Sequence, residues 1–403
     1  MKRLKIIICL LISFYISVLS QSKPYVVLIS FDGFRWDYMS RGISPNLEKI
    51  KQEGVSALSL RSTFPSVTFP NHLSIITGMY PEHHGIITNS FHDPYSSSNY
   101  RMSDTNSVRN SKWYLGEAFW ETAERQGITT ASYFWPGSEL LIPYRRPTFY
   151  EKFEGKRPYE QRVQGVIDWL KLPADKRPHF ITAYFQETDH VGHVYGPNSP
   201  ELNEAIKRLD FIAGLFVMKL EEINMKDSVD LIIVSDHGMT EISDKRMINI
   251  EAITGSDKCK FYDDGPLMMI ETPKENIKEI YEALKAKEQH FKVYLREEIP
   301  EYFHFNENPF IAPIVITADL GWSLCTNKIS ERALKEKGNH GYDNNQLDMH
   351  GFFVAEGPEF KKNYRTGTIW NIDIYPLLCK IFNIIPRSNI DGKSERIEFI
   401  LTN

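Results

Sequence analysis

The chain has 403 residues, 42% apolar and 25% charged, which is ordinary globular composition and enough for one large domain with insertions or for two. A formal net charge of −5 without a Lys/Arg run argues against duplex nucleic acid or an anionic membrane surface as partner. A small phosphate substrate is not excluded, because bound metal ions reverse the local field.

Met1 to Lys5 is basic, Ile6 to Leu19 is apolar, and Ser20-Gln21-Ser22 follows. This is the pattern of a secretory signal peptide. The apolar run of about 14 residues is short against the roughly 20 that span a bilayer. Residues 1–21 therefore read as a signal and 22–403 as the mature domain, secreted or periplasmic, with no stable membrane insertion expected after cleavage. An uncleaved anchor is the alternative. Loss of Lys2, Arg3 and Lys5 takes the net charge to −8.

Residues 25–31 (YVVLISF) read as a central strand that ends at Asp32-Gly33. Leu47 to Gly54 reads as the end of a helix closed by glycine. Residues 70–77 read as a helix with Pro70 in its first turn and Gly78 just past its end. Helical spacing continues over 112–127, a strand follows at ITTASYFW, and 159–172 is an amphipathic helix before the strand 179–186. A long helical pattern over 201–222 leads to the strand 230–235. Such alternation predicts an α/β fold with a largely parallel sheet flanked by helices. After Asp236-His237 the pattern changes to a small α+β insertion, roughly 253–335, and the last helix is expected near 371–384. Cys259, Cys325 and Cys379 show no CxxC spacing, so a cysteine zinc site is excluded. They make at most one disulfide, with Cys259–Cys325 favoured by shared placement in the insertion, or remain three free thiols.

Several acids and histidines stand beside apolar strand-like runs: Asp32, Asp189 with His193, Asp236 with His237, and His350 before FFVA. Strand C-termini share one edge of a parallel sheet, where ligands bind. If the segment after residue 186 is helical, Asp189 and His193 share a face at i and i+4; if it is a loop, Gly192 still lets them meet. Each residue alone reads more simply as a helix cap or a core histidine. Together they supply nitrogen and oxygen donors that divide into two metal sets and suit zinc or a similar divalent ion. Thr68, just before the helix at Pro70, is the nucleophile candidate, because a helix N-terminus favours phosphate. Ser66 is the competing hydroxyl. Asn89 is a candidate donor to a phosphate oxygen.

The segments LISFDGFRWDY, TFPSVTFPNHLSIITGMYPEHHGIITN, YFWPGSE, AYFQETDHVGHVYGP, VSDHGM and MHGFF span almost the whole mature chain. In this order they resemble the nucleotide pyrophosphatase/phosphodiesterase family of the alkaline phosphatase superfamily, in its compact single-domain form. The resemblance implies an alkaline-phosphatase-like fold and two Zn2+ ions, with Mn2+ or another divalent ion as the alternative. One ion would be held by Asp189, His193 and His350. The other would be held by Asp32, Asp236, His237 and the Thr68 oxygen. The resemblance also implies a Thr68 nucleophile that forms a covalent intermediate, Asn89 as a phosphate contact, and aromatics around a nucleotide base. Phe69, Tyr184 and Phe153 fall at those places, and Trp135 is a further candidate. The expected substrate is a small nucleotide or other phosphodiester. A choline-lipid phosphodiesterase, a phosphomonoesterase and a catalytically silent nucleotide-binding protein are the alternatives. No cysteine sits in the setting that sulfatase maturation needs.

Overall fold

The structure is a computed structural model that describes residues 23–255, 257–263, 265–329 and 331–402. The signal-peptide reading of residues 1–21 lies outside the described residues. In chain order the elements that position the site are β1 (Tyr25–Phe31), α1 (Pro45–Glu53), α2 (Thr68–Thr77), β2 (Thr130–Tyr133), α3 (Tyr159–Leu170), β3 (Phe180–Phe185), α4 (Glu187–Tyr195), α5 (Pro200–Glu222), β4 (Val229–Val234), β5 (Phe353–Glu356) and α6 (Ile374–Ile381).

The main sheet runs Tyr364–Thr366, Val55–Ala57, β5, β4, β1, β3, β2, Phe149–Glu151. Only β5 is antiparallel to its neighbours; the other pairings, including β4–β1–β3–β2, are parallel. The central strands are apolar throughout because helices cover both faces. Along β1, Val26 and Leu28 join the core beneath α2 and α6, while Val27, Ile29 and Phe31 join the core beneath α1, α3 and α5. A fully buried side chain of this size stabilises the fold by about 1.5–3 kcal/mol relative to exposure.

The region between β4 and β5 carries a four-stranded antiparallel sheet (Lys260–Tyr262, Leu267–Glu271, Ile314–Ala318, Phe291–Leu295) packed on helix Ile277–Lys285 with its own apolar core. The helix expected over 112–127 is shorter: a 3-10 turn at Ser111–Trp113 precedes a helix at Phe119–Arg125. Gly116 interrupts it, because a Cβ there would meet His84 Cβ at 2.9 Å and the chain must pass close by. Cys259, Cys325 and Cys379 form no disulfide with one another, and Cys325 and Cys379 are buried. Among the described residues no helix is long and apolar enough to cross a membrane.

Candidate active site and metal centre

Asp32 leaves the C-terminal end of β1, and Gly33 (φ 65°) turns the chain there. A Cβ on Gly33 would lie 2.8 Å from Asp189 Cα, so glycine lets the two acid-bearing segments pack together. α4 begins just beyond β3 and sets Asp189 and His193 one turn apart, with Asp189 Oδ1 and His193 Nε2 at 3.3 Å. Asp236 and His237 follow β4, and His237 Nε2 lies 3.1 Å from Asp236 Oδ2 and 3.4 Å from Asp32 Oδ1.

A fourth segment supplies His340. Strand Gly338–Asn339 pairs with Thr240–Glu241, just beyond His237. This places His340 Nε2 at 3.1 Å from His193 Nε2 and 3.3 Å from Asp189 Oδ1. Its ring stacks on His237 with centroids 3.6 Å apart. Two groups of donors result, Asp32–Asp236–His237 and Asp189–His237–His340, each with its atoms within 4.8 Å. His193 joins the second through the distances above.

The tautomers follow from what each Nδ1 meets. His193 Nδ1 lies 2.9 Å from Gly338 O, His237 Nδ1 2.8 Å from Gly238 O, and His340 Nδ1 2.9 Å from Ser66 O. A carbonyl only accepts, so each Nδ1 carries a hydrogen and each Nε2 is turned toward the cluster. Asp32 Oδ1, Asp189 Oδ1 and Asp236 Oδ2 are buried and accept no hydrogen bond. Unpaired carboxylate oxygens facing imidazole lone pairs are costly unless a cation lies among them. Burial first, then the charges of Asp236 and Asp189, push Asp32 well above the usual carboxylate range. Burial holds His237 down to about 4, which keeps its ring neutral. This set of oxygen and nitrogen donors fits a divalent metal centre.

His350 requires a correction. Its Nε2 donates to Asn344 O at 3.0 Å, and its Nδ1 accepts from Ser59 Oγ at 2.9 Å. Both nitrogens are committed inside the protein, so no lone pair reaches the cluster. His340 occupies the position expected for it. The sequence signal for His340 was its place between Asn339 and Gly341, a glycine-flanked histidine like His237.

Thr68 opens α2 two residues before Pro70, with Oγ1 3.3 Å from His237 Nε2. Ser66, the competing hydroxyl, is buried and held by Ser62 Oγ and Tyr342 O at 2.9 and 3.3 Å. Asn89 Oδ1 accepts the Phe69 N–H at 3.0 Å, which orients the amide and leaves Nδ2 to donate elsewhere. Phe153 is 55% exposed and Phe69 is partly buried, so both offer ring surface. Trp135 does not: it is 1% exposed, and its Nε1 donates to His72 O at 3.1 Å, propping α2 from below. Tyr184 is 9% exposed and its hydroxyl is engaged at Asp32. His72 is a buried member that the sequence reading passed over. Its Nδ1 donates to Thr68 O at 2.8 Å and lies 3.2 Å from Asp236 Oδ2, while Nε2 meets Ser30 Oγ at 2.8 Å.

A largely parallel sheet, with acids and histidines gathered at its strand ends beside a threonine at a helix start, is the arrangement of an alkaline-phosphatase-like hydrolase. Solved structures agree. Murine ectonucleotide pyrophosphatase/phosphodiesterase 5, as an inactive threonine-to-alanine variant in complex with AMP, superposes with a TM-score of 0.90 at 31% identity, covering 94% of this chain and all of that one. The family model described as type I phosphodiesterase / nucleotide pyrophosphatase matches residues 26–343, and the chain belongs to that family. Membership places it among hydrolases of phosphodiester and pyrophosphate bonds. A bis(5'-adenosyl)-triphosphatase of Xenopus laevis is 35% identical over 386 residues, covering 95% of this chain and 83% of the relative. Ectonucleotide pyrophosphatase/phosphodiesterase family member 1 of Homo sapiens is 37% identical over 391 residues, and the chain spans 42% of its length.

Proposed function

We propose that this chain is an exported two-zinc phosphodiesterase that cleaves phosphodiester or pyrophosphate bonds of small nucleotides through a covalent threonine intermediate. One observation carries the reading: three buried, unpaired carboxylate oxygens face imidazole Nε2 atoms, and one of those, His237 Nε2, lies 3.3 Å from the Thr68 hydroxyl. Asp189, His193 and His340 are the residues that would hold one ion, and Asp32, Asp236, His237 and Thr68 Oγ1 those that would hold the second. Zinc, or manganese in its stead, would supply Lewis-acid stabilisation of charge on the phosphoryl oxygens.

The chain's own residues do the rest. The Thr68 hydroxyl loses its proton to solvent as Oγ1 attacks phosphorus, forming a Thr–O–P ester while the bond to the leaving group breaks. Water then cleaves that ester and releases the nucleoside monophosphate. Asn89 Nδ2 donates to a non-bridging oxygen, where charge develops in the transition state. The partial positive charge at the start of α2 favours the same anion. Phe69 and Phe153 present flat faces for a base, and Phe153 has no hydroxyl to read a base edge. Selectivity among bases is therefore modest. The AMP complex of the murine neighbour and the name of the Xenopus relative support a nucleotide substrate. Export rests on the N-terminal basic and apolar segment.

Acid quench during turnover of a dinucleoside polyphosphate, followed by peptide mass spectrometry, tests the intermediate. A nucleoside monophosphoryl group on the Thr68 peptide, absent in Thr68→Ala, is expected. Turnover that persists in Thr68→Ala, or an adduct on another residue, contradicts the mechanism.

A further inference from the structure

We infer that Tyr184 is a positioning residue for the metal centre, joining the wall of the substrate pocket to the Asp32 carboxylate. The inference rests on the reading of the acid and histidine cluster as a two-metal site.

The placement begins with strand register. β1 and β3 run parallel with Ser30 opposite Tyr184. Side chains alternate, so Ser30, Asp32 and Tyr184 point to one face, with Tyr184 diagonal to Asp32. From there the Tyr184 hydroxyl donates to Asp32 Oδ2 at 2.5 Å. The other oxygen, Oδ1, has no hydrogen-bond partner and faces His237 Nε2 at 3.4 Å. The phenol thus divides the carboxylate. One oxygen is held by the protein and the other is left for a cation. A carboxylate anchored through one oxygen is held in rotation and disposed to bind through the other alone.

The ring has a second neighbourhood. Its centroid lies 6.2 Å from that of Phe153, the half-exposed aromatic of the pocket, and 5.2 Å edge-on from His72. At 9% exposure the ring offers a base little surface. The sequence placed Tyr184 as a wall around the base; the structure gives its hydroxyl a different task. Outer partners of this kind typically change metal affinity or activity about 10–100-fold when removed.

Tyr184→Phe keeps the ring and deletes the hydrogen bond. The purified parent and variant chains are stripped with a chelator and titrated with zinc against a chromophoric competitor, and the apo melting temperatures are measured alongside. The parent is expected to bind two zinc equivalents. The variant is expected to retain the apo fold while one of the two dissociation constants rises about 10–100-fold. The cobalt(II) absorption spectrum, which loss of packing alone leaves unmoved, is expected to change in intensity. Phe153→Ala, on the pocket side, is expected to raise KM and leave both zinc constants as in the parent. A parent that binds fewer than two equivalents removes the two-metal reading, and this inference with it. A parent that binds two, beside a Tyr184→Phe chain with the same zinc constants and cobalt spectrum, overturns the positioning role and leaves the two-metal reading standing.

Discussion

Two histidines ten positions apart, His340 and His350, give the most discriminating substitution pair. His340 Nε2 lies within 3.3 Å of two other cluster atoms, and its Nδ1 is oriented by Ser66 O. His340→Ala removes one of three donors on the Asp189 side. Loss of an outer partner already costs about 10–100-fold in metal affinity, so loss of a donor itself is expected to cost at least about 100-fold at one site. Activity should fall at least as far at trace zinc. The apo melting temperature should fall as well, because the buried Ser66 O loses its donor and His237 loses the ring stacked on it, so zinc affinity is what separates the pair. His350→Ala leaves the cluster whole. It strands the buried Asn344 O and takes one partner from Ser59, whose other contact is Thr368 Oγ1 at 2.9 Å. A stranded buried acceptor costs about 1–3 kcal/mol, so the melting temperature should drop while zinc affinity stays within about 3-fold of the parent. Zinc titration and differential scanning calorimetry on both variants read the two effects separately. Zinc loss in His350→Ala with none in His340→Ala would refute the geometric assignment.

Other consequences follow from single contacts. Asn89→Ala should lower kcat for a nucleotide diester by about 100–1000-fold, the usual cost of one donor to a developing anion, with a smaller change in KM; a loss under 3-fold would remove Asn89 from that role. Asp230 is fully buried, and burial raises its carboxyl to about 7. Its contribution is present in full below the unfolded pKa near 3.8 and is lost as pH rises through about 7, so stability should decline across that window. Asp230→Asn should flatten that part of the profile, and an unchanged slope in chemical denaturation would exclude Asp230 as its source. At Gly54 a Cβ would meet Ala355 O at 2.0 Å. Gly54→Ala should destabilise the chain by about 1–3 kcal/mol or more through backbone displacement; equal melting temperatures would show that the strand edge yields freely.

Much of this architecture was legible because apolar runs and polar ends coincide. β1, β3 and β4 are continuous apolar segments, so Asp32, Asp189 and Asp236 announced themselves as edge residues. The helical option for Asp189 and His193 held, since α4 starts directly after β3 and carries both on one face. His340 was hidden by a different kind of contact. The pairing of Gly338–Asn339 with Thr240–Glu241 spans two residues on each side and about a hundred along the chain, too short to imprint a period. His350, beside the apolar run FFVA, carried the stronger local signal and had a structural reason to be there. Trp135 and Tyr184 show the same limit. Sequence marks an aromatic near a pocket, but which face is covered, and what a hydroxyl or ring N–H touches, depends on contacts across the sheet.

The central claim is a two-metal centre that directs Thr68 at a phosphodiester. The direct test is hydrolysis of a nitrophenyl nucleoside monophosphate diester beside plain nitrophenyl phosphate, before chelation, after chelation, and after zinc is returned. Fast diester cleavage that is abolished by the chelator, restored by zinc and far above monoester cleavage is the predicted result. Diester cleavage that survives complete metal removal, or a preference for the monoester, would contradict it.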